Sequence, residues 1–397
     1  MKYICALSAL LVAGASLPLQ AQEVTFGGQV RPRFEYREPA GGDDDAFTSM
    51  RTRLNLSALV ERNVRIFIQV QDVRLFGSET NTLTDFSADQ LDLHQGYVDL
   101  NHSGDVGLAG RIGRQEVNFG GQRLVGAVAW TQQARSFDGI RGRYDWEQGS
   151  AAFFAFKTGD ASAATVDQDS EFSGAYVQVR DVGSGNLDLY GFYRRAQDAD
   201  PDLNTNEGTT GARYVGQSGK VSYRAEATYQ YGDRYGDDVK AYMFGGRIGT
   251  ALTDQVTLTA WYDYLSGDDD PGDNTVKEFN TLFATNHKYY GFADLFLNIP
   301  AHTGGYGLQD LAVKGAFQLG NNVSLGADLH AFLFAKQAPG DVRRIGEEID
   351  LTVSHRYSPN LLVQAGYSYV VQGPGFEDLG RLDENMQWLY VMLNATF

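Results

Sequence analysis

The side chains that could perform acid-base or metal chemistry in this chain are its six histidines and the carboxylates near them. No two histidines stand at the helical spacing of a metal-ligand pair. His330 and Asp328 project to the same side of a predicted strand and supply two members of a hydrolase triad. Because no strained nucleophile turn accompanies them, we interpret the pair as a hydrogen bond and predict that the chain is not an enzyme.

Cofactor and thiol chemistry are not indicated either. The glycine-rich stretches "GGQRLVG" and "FGGRIG" precede no predicted helix and lack the lysine of a phosphate-binding loop. The only cysteine, Cys5, lies in an apolar N-terminal segment that matches a secretory signal peptide, predicted at residues 1–21. We therefore expect a mature chain without cysteine, and we predict no cofactor and no metal site.

The most informative chemical pattern is a row of arginines at every second position. In "QVRPRFEYRE", residues 29–38, three arginines and Glu35 alternate with apolar residues and Pro32, although the whole chain has a formal net charge of −17. A guanidinium group pairs with a carboxylate through two parallel hydrogen bonds, so such a row suits an anionic solute such as a sugar acid. Pro32 lacks a backbone donor, which predicts a bulge or a missing hydrogen bond at this point.

Segments with two such faces recur from residue 24 to the end of the chain, most regularly at 219–231. Tight turns such as "VERNV" and "GQSGK" alternate with long acidic loops, a sorting by side that is typical of outer-membrane barrels. After the signal peptide no apolar stretch approaches the ~20 residues of a membrane-spanning helix. The last segment ends on Phe397 and resembles the signal that the barrel-assembly machinery recognises.

The alternation gives nineteen candidate strands, whereas a bacterial single-chain barrel needs an even number. Only one inward strand fits between 255–265 and 322–334, and 309–319 joins the tight turn directly. We therefore assign 287–297 to a long outer loop at about 266–308. The sequence predicts an all-β fold, a transmembrane antiparallel β-barrel of eighteen strands, with residues 22–397 forming one domain in the outer membrane of a Gram-negative cell. A barrel of this size encloses an aqueous channel.

In such a barrel the apolar face meets lipid and the polar face lines water. The predicted register turns sixteen basic and nine acidic side chains into the lumen, while most other acids fall in the outer loops. Low-dielectric walls would focus the field of this lumen and attract anions. The residues predicted to line the pore and bind the solute are Arg31, Arg33, Arg37, Arg51, Arg53, Arg65, Arg111, Arg135, Arg141, Arg143, Arg224 and Arg247.

Both charge patterns also have plainer explanations. Lumenal arginines often serve as partners for lumenal carboxylates and hold inner loops against the wall, which would be a structural role. The acidic loops are explained by solubility, or by divalent cations that bridge them to lipopolysaccharide or to a substrate. The sequence leaves these alternatives open.

Several stretches of the sequence match a known family pattern. They are "GRIGRQEVNFGGQRLVG" at 110–126, Trp130, "RSFDGIRGRY" at 135–144, "NHKYYGFADLF" at 286–296 and "GLQDLAVKGAF" at 307–317. Together they resemble the alginate export family of outer-membrane porins, over nearly the whole mature chain. The resemblance implies an eighteen-stranded barrel with a positively charged constriction that passes a polysaccharide of mannuronate and guluronate.

The resemblance also implies a set of motif positions in this chain. Arg114 and Glu116 have the parity opposite to the inward arginines of the same strand, so either a bulge lies near Gly113 or both sit at the rim above the lipid. The motif positions are Arg114, Glu116, Arg123, Trp130, Asp138, His287, Lys288, Tyr289, Tyr290 and Asp294.

Taken together, the sequence predicts a porin with a basic, anion-preferring lumen that passes an alginate-like anionic poly- or oligosaccharide, or small anionic solutes. The main alternative is a general or sugar-acid uptake porin on the same scaffold, and a barrel enzyme or adhesin is a third. The expected partners are outer-membrane lipid, lipopolysaccharide, the barrel-assembly machinery and, for an exporter, periplasmic secretion proteins. We expect no nucleic-acid partner and a monomer.

Overall fold

The computed structural model describes residues 23–38, 45–77, 91–102, 104–159, 169–198 and 200–397, so the predicted signal peptide lies outside the described residues. Strands form most of the regular structure because the sequence alternates at period two. The strands are β1 (Glu23–Glu38), β2 (Asp45–Glu61), β3 (Val64–Leu75), β4 (Asp92–Leu100), β5 (Gly107–Gln115), β6 (Phe137–Trp146), β7 (Gly149–Gly159), β8 (Ser170–Val182), β9 (Gly185–Ala196), β10 (Thr205–Ser218), β11 (Val221–Arg234), β12 (Asp237–Ala251), β13 (Val256–Leu265), β14 (Thr275–Val276), β15 (Leu308–Gln318), β16 (Val323–Ala338), β17 (Val342–Ser358), β18 (Leu361–Gln372) and β19 (Met386–Thr396).

The helical elements are short and lie in the loops. Among the described residues, one α-helix, α1, spans Pro374–Asp378, and 3₁₀ turns occur at Pro201–Leu203, Asn286–Lys288, Ala301–Thr303 and Pro339–Asp341. Within the ranges that the structure describes, no helix has the length and apolar character needed to cross a membrane.

The strands close into a barrel. Consecutive strands pair antiparallel, β13 pairs with β15 and β1 pairs with β19, so eighteen of the nineteen strands form the wall. The two-residue β14 belongs to the loop between β13 and β15 and pairs in parallel with the start of β12. Residues 287–297 form no strand. The predicted strand number and the assignment of 287–297 to a loop are both confirmed.

The outward face of the barrel is apolar because every second side chain points away from the lumen. Phe34, Leu54, Ile112, Ile140 and Val391 belong to five different strands and are each between 41% and 58% exposed. In a bilayer such a band of side chains contacts the acyl chains.

Pro32 leaves a gap in one ladder of β1. Pairing with β19 stops at Val30, opposite Ala395, and resumes at Arg33, opposite Met392, with the same register on both sides. Pairing with β2 continues through Pro32. Of the two predicted outcomes, the structure therefore has the interrupted ladder and not the bulge.

In the part of the chain that the structure describes, three loops from the end of the barrel opposite the tight turns fold back into the lumen. We call residues 116–136 the first inner loop, 266–307 the second and 373–385, which include α1, the third. Phe279, Tyr290 and Phe296 of the second loop and Phe376 of the third are at most 1% exposed. The segment predicted as an outer loop at 266–308 thus starts and ends at the outer side but packs inward, because its apolar side chains bury themselves inside the barrel.

The wall beside the first inner loop is aromatic. Phe154, Phe172, Tyr176 and Phe192 point into the lumen and are between 0% and 8% exposed. Phe119 of the first inner loop stacks on Tyr176 with ring centres 5.0 Å apart and an angle of 8°. The expectation of a polar lumen is wrong on this side, since loop and wall form a hydrophobic core there.

Candidate functional site

The arginine row of β1 and β2 faces the lumen, as its parity predicts. Arg31 lies opposite Arg51 across the two strands, and Arg31, Arg33, Arg51 and Arg53 are between 3% and 8% exposed. Each of these arginines donates hydrogen bonds to the first inner loop. The row is therefore packed against protein instead of lining open water.

Glu116, at the start of the first inner loop, pairs with Arg53 at one end of this row. Arg53 Nη1 donates to Glu116 Oε1 at 3.1 Å, and His94 Nε2 lies 2.7 Å from the same oxygen. His94 turns inward because β4 bulges there, so that pairing with β3 steps from Gln95 to Leu93. Although burial opposes it, the His94 hydrogen bond and the Arg53 charge lower the pKa of Glu116.

Arg114 and Asp138 lie on the outer face of the barrel. They stand opposite each other in β5 and β6, and Arg114 Nη1 is 2.6 Å from Asp138 Oδ2. The register runs unbroken through Gly113. Arg114 is therefore at the rim, whereas Glu116, beyond the end of β5, turns into the lumen.

Toward the tight-turn end, a first set of arginines shares one carboxylate. Asp99 accepts hydrogen bonds from Arg65 at 2.5 Å and from Arg111 at 2.6 Å. The Arg111 guanidinium also lies 3.7 Å from the centre of the Tyr97 ring. One carboxylate between two arginines leaves this part of the wall with net positive charge.

Arg141 and Arg143 stand between two adjoining cavities of about 200 and 230 Å³, and both residues line each cavity. Arg143 Nη2 pairs with Asp145 Oδ1 at 2.6 Å. Arg141 lies opposite Arg111 in the sheet and makes no ion pair within the described ranges. Ser150 and Gln178 add hydrogen-bonding groups to one cavity.

Arg123 of the first inner loop is the centre of a second, buried cluster. Its Nη1 donates to Asp263 Oδ2 at 2.7 Å and to the Tyr290 hydroxyl at 2.9 Å, and its Nε lies 3.3 Å from Glu226 Oε2. Although burial opposes it, the Asp263 carboxylate holds the pKa of Arg123 well above its ordinary value. Arg123 therefore joins the first inner loop to the barrel wall and to the second inner loop.

Arg247 and Lys288 complete this second cluster on the side of the channel. Arg247 lies 5.6 Å from the Trp261 ring centre, and Lys288 Nζ lies 5.3 Å from that of Tyr289. Neither cation forms an ion pair with a residue of the described part of the chain. Partial desolvation inside the lumen, and then the charges of four surrounding arginines, lower the pKa of Lys288 to about 8.

The remaining residues implied by the family resemblance join the two long inner loops. The Trp130 ring stacks on His287 at 4.2 Å, and His287 Nδ1 is 2.6 Å from Asp294 Oδ1. The Tyr289 hydroxyl donates to the carbonyl of Gly121. Arg135, predicted as a pore residue, donates to the carbonyls of Gly126, Phe283 and Ala284 and so bridges the same two loops.

The lumen contains acids that the predicted register left out. Glu207 accepts from Arg194 at 3.0 Å and from Arg234 at 2.9 Å; it was missed because β10 starts at Thr205 and not at 208. Asp310 lies 2.9 Å from His330 Nδ1, so His330 pairs with Asp310 and not with Asp328.

Of the remaining predicted pore arginines, Arg37 lies 3.8 Å from Glu35 and Arg224 lies 3.5 Å from Asp263.

Two residues that shape the site were not predicted. Trp261 shares the inward parity of Asp263 and could have been found from it, whereas Gln132 lies in a loop without periodic signal.

An antiparallel barrel with an apolar outer face, charged lumenal clusters and loops that narrow the lumen defines an outer-membrane porin. Solved structures with this fold include Acinetobacter baumannii OccAB4, with a TM-score of 0.65 and 11% identity, covering 96% of this chain and 100% of that one. Pseudomonas aeruginosa OccK8 (OprE) gives 0.65 and 13%, covering 95% and 98%. The outer membrane protein OprD from the same organism gives 0.65 and 10%, covering 95% and 96%. At these identities the likeness shows the fold alone.

The sequence profile of the family described as alginate export matches residues 22–387, and the chain belongs to this family. No curated protein sequence matches it significantly. Family and fold together place the protein in the outer membrane.

Proposed function

We propose that this porin prefers anions and passes an anionic oligo- or polysaccharide of the alginate type. The observation that carries the proposal is that three lumenal cations, Arg141, Arg247 and Lys288, have neither a carboxylate partner nor a side-chain hydrogen bond within the described ranges. Lys288 is exposed although its neighbours His287 and Tyr289 are buried, so its side chain points into the channel.

Unpaired cations decide the selectivity of such a channel. A guanidinium group paired with a carboxylate contributes little field at a distance, whereas an unpaired one in a low-dielectric passage raises the local concentration of anions. Arg141 and Arg143 stand between two adjoining cavities. This arrangement fits linked acidic units better than a single small anion, and a guanidinium fork matches a carboxylate in geometry.

Membership in the family described as alginate export supports a polymer of sugar acids as the solute. The plainer explanation of the lumenal arginines, a structural role, is supported for Arg31, Arg33, Arg51, Arg53 and Arg135 by their contacts with the inner loops. The proposal therefore assigns selectivity to Arg141, Arg247 and Lys288 and not to the arginine row of β1 and β2.

The test is electrophysiology on purified protein in planar bilayers. Under a KCl gradient the reversal potential should indicate preference for chloride, and an oligomannuronate should block the current at lower concentration than the neutral oligosaccharide of the same length. Preference for potassium would overturn the anion proposal. Chloride preference with equal weak block by both sugars would support the general or sugar-acid uptake porin instead.

A further inference from the structure

Three arginines of the barrel wall converge on one short turn of the first inner loop. Arg31 Nη1 donates to the carbonyl of Ala129 at 2.8 Å, and its Nη2 donates to those of Trp130 at 3.1 Å and Thr131 at 2.8 Å. Its Nε donates to the Gln132 side chain at 3.0 Å. All three nitrogens of this guanidinium are thus used by residues 129–132.

Arg33 and Arg51 contact the same turn. Arg33 Nη1 donates to the carbonyl of Trp130 at 2.9 Å, and its guanidinium lies 4.3 Å from the Trp130 ring centre. Arg51 Nη1 donates to the carbonyls of Thr131 at 3.2 Å and Gln132 at 3.3 Å. The turn also donates a hydrogen bond to the wall, from Gln132 Nε2 to the backbone carbonyl of Arg31 at 3.2 Å.

The buried charges of these three arginines need hydrogen bonds from the turn, and the turn is held in place by the same bonds. Arg31, Arg33 and Arg51 are between 3% and 6% exposed. Among the described residues, Arg33 pairs with the carboxylate of Glu35 at 2.8 Å, whereas Arg31 and Arg51 form no ion pair. A buried charge is costly unless hydrogen bonds satisfy it. The carbonyl oxygens of residues 129–132 supply these bonds, so no room remains for a solute carboxylate at Arg31 or Arg51.

We infer that Arg31 and Arg51 are positioning residues, which hold the first inner loop against the wall and thereby set the bore of the channel. The turn at 129–132 also carries Trp130, which packs edge-on against Tyr390 at 4.9 Å and face-on against His287 of the second inner loop. Release of the turn therefore loosens both loops. The inference rests on the porin class of the protein and not on its preference for anions.

Lysine substitution separates the two roles. Lysine keeps the positive charge but lacks the planar fork that serves several carbonyls at once. A role in attracting the solute survives Arg31→Lys and Arg51→Lys, whereas a role in anchoring the turn does not. Arg114→Lys is the matched control, because Arg114 lies on the outer face of the barrel and its guanidinium donates to Asp138 of β6, not to an inner loop, in the described ranges.

The experiment uses Ala127→Cys as a reporter, since Ala127 is in the first inner loop and only 2% exposed. In the reporter background, Arg31→Lys and Arg51→Lys should speed labelling by a membrane-impermeant thiol reagent about tenfold. Labelling requires the loop to detach from the wall, and losing one hydrogen bond from a charged donor raises the detached fraction by about that factor. Both variants should also change single-channel conductance and leave the reversal potential unaltered. Arg114→Lys should change neither labelling nor conductance.

A variant of the turn itself tests the same anchoring without changing any charge. Gln132→Ala removes one acceptor of the turn without touching a charge, so it should also speed labelling if a lysine variant fails to assemble. Labelling and conductance that stay at the parent values in Arg51→Lys and Gln132→Ala would overturn the inference. A parent channel without anion preference would contradict the proposed function but would leave this labelling result unaffected.

Discussion

Trp130 of the first inner loop and His287 of the second lie face to face, with ring centres 4.2 Å apart and an angle of 6°. Trp130 also meets Trp388 and Tyr390 of β19 edge-on, at 5.9 and 4.9 Å. His287 is fixed from its other side by Asp294. Two of the stretches that carry the family resemblance, 110–144 and 286–296, are therefore in contact with each other inside the barrel.

Replacement of Trp130 by alanine should loosen this junction. Each aromatic contact contributes about 0.5–1.5 kcal/mol, so losing three of them weakens loop attachment by about 1.5–4.5 kcal/mol. We expect Trp130→Ala to raise single-channel conductance and current noise and to expose the inner loops to protease. Trp146→Ala, at the tight-turn end of β6, is the control and should leave the current unchanged. Equal conductance in Trp130→Ala and the parent would refute a role of the junction in setting the bore.

The barrel itself was predictable because its signal is local. A side-chain period of two fixes which residues face lipid, and the tight turns fix the strand order, so the strand number and the inward position of Arg31 followed from the sequence. The inner loops depend on contacts between distant residues, such as Arg31 with the carbonyl of Trp130, 99 positions away. No periodic pattern marks such contacts, so the sequence could not separate anchoring arginines from those open to the channel.

Arg141 and Arg247 should account for part of the anion selectivity. Their replacement by glutamine removes a lumenal charge that no ion pair neutralises in the described residues, so the field that attracts anions weakens. We expect Arg141→Gln and Arg247→Gln each to shift the reversal potential toward that of a non-selective pore. Arg114→Gln removes the same charge from the outer rim and should not shift it. A shift in the Arg114 variant as large as in the other two would show that selectivity reflects total charge and not lumenal position.

Glu348 should hold the second inner loop by its oxygen and not by its charge. Glu348 Oε1 accepts from the backbone N–H of Ala293 at 2.7 Å, and the next inward residue of β17, Asp350, accepts from that of Phe292 at 3.2 Å. Glutamine keeps the acceptor, whereas alanine leaves a buried N–H unsatisfied at a cost of about 1–3 kcal/mol.

We therefore expect Glu348→Ala to increase hydrogen exchange at the Ala293 amide, with little change in Glu348→Gln. Glu347→Ala is the matched control, because Glu347 is adjacent in sequence but faces outward and pairs with Arg344. Equal exchange in the alanine and glutamine variants of Glu348 would refute the acceptor role.

Lys288 should make the anion selectivity depend on pH. Partial desolvation inside the lumen and the nearby arginines favour its neutral form and lower its pKa from 10.5 to about 8, so the charge is present below that pH and lost above it. Selectivity should stay constant up to about pH 7 and fall as the pH rises toward about 9. Because the unfolded chain keeps this proton to higher pH, the same shift raises the free energy of unfolding as the pH rises above about 8.

Two variants make the effect specific to Lys288. Lys288→Gln should show lower selectivity below about pH 7 and no further fall above it, since the titrating charge is gone. Lys288→Arg should keep its charge and hold selectivity constant to about pH 9, because arginine does not deprotonate in this range. Reversal potentials measured in the same KCl gradient across this pH range decide the matter. A fall of equal size in the parent and in Lys288→Gln would assign the titration to another group.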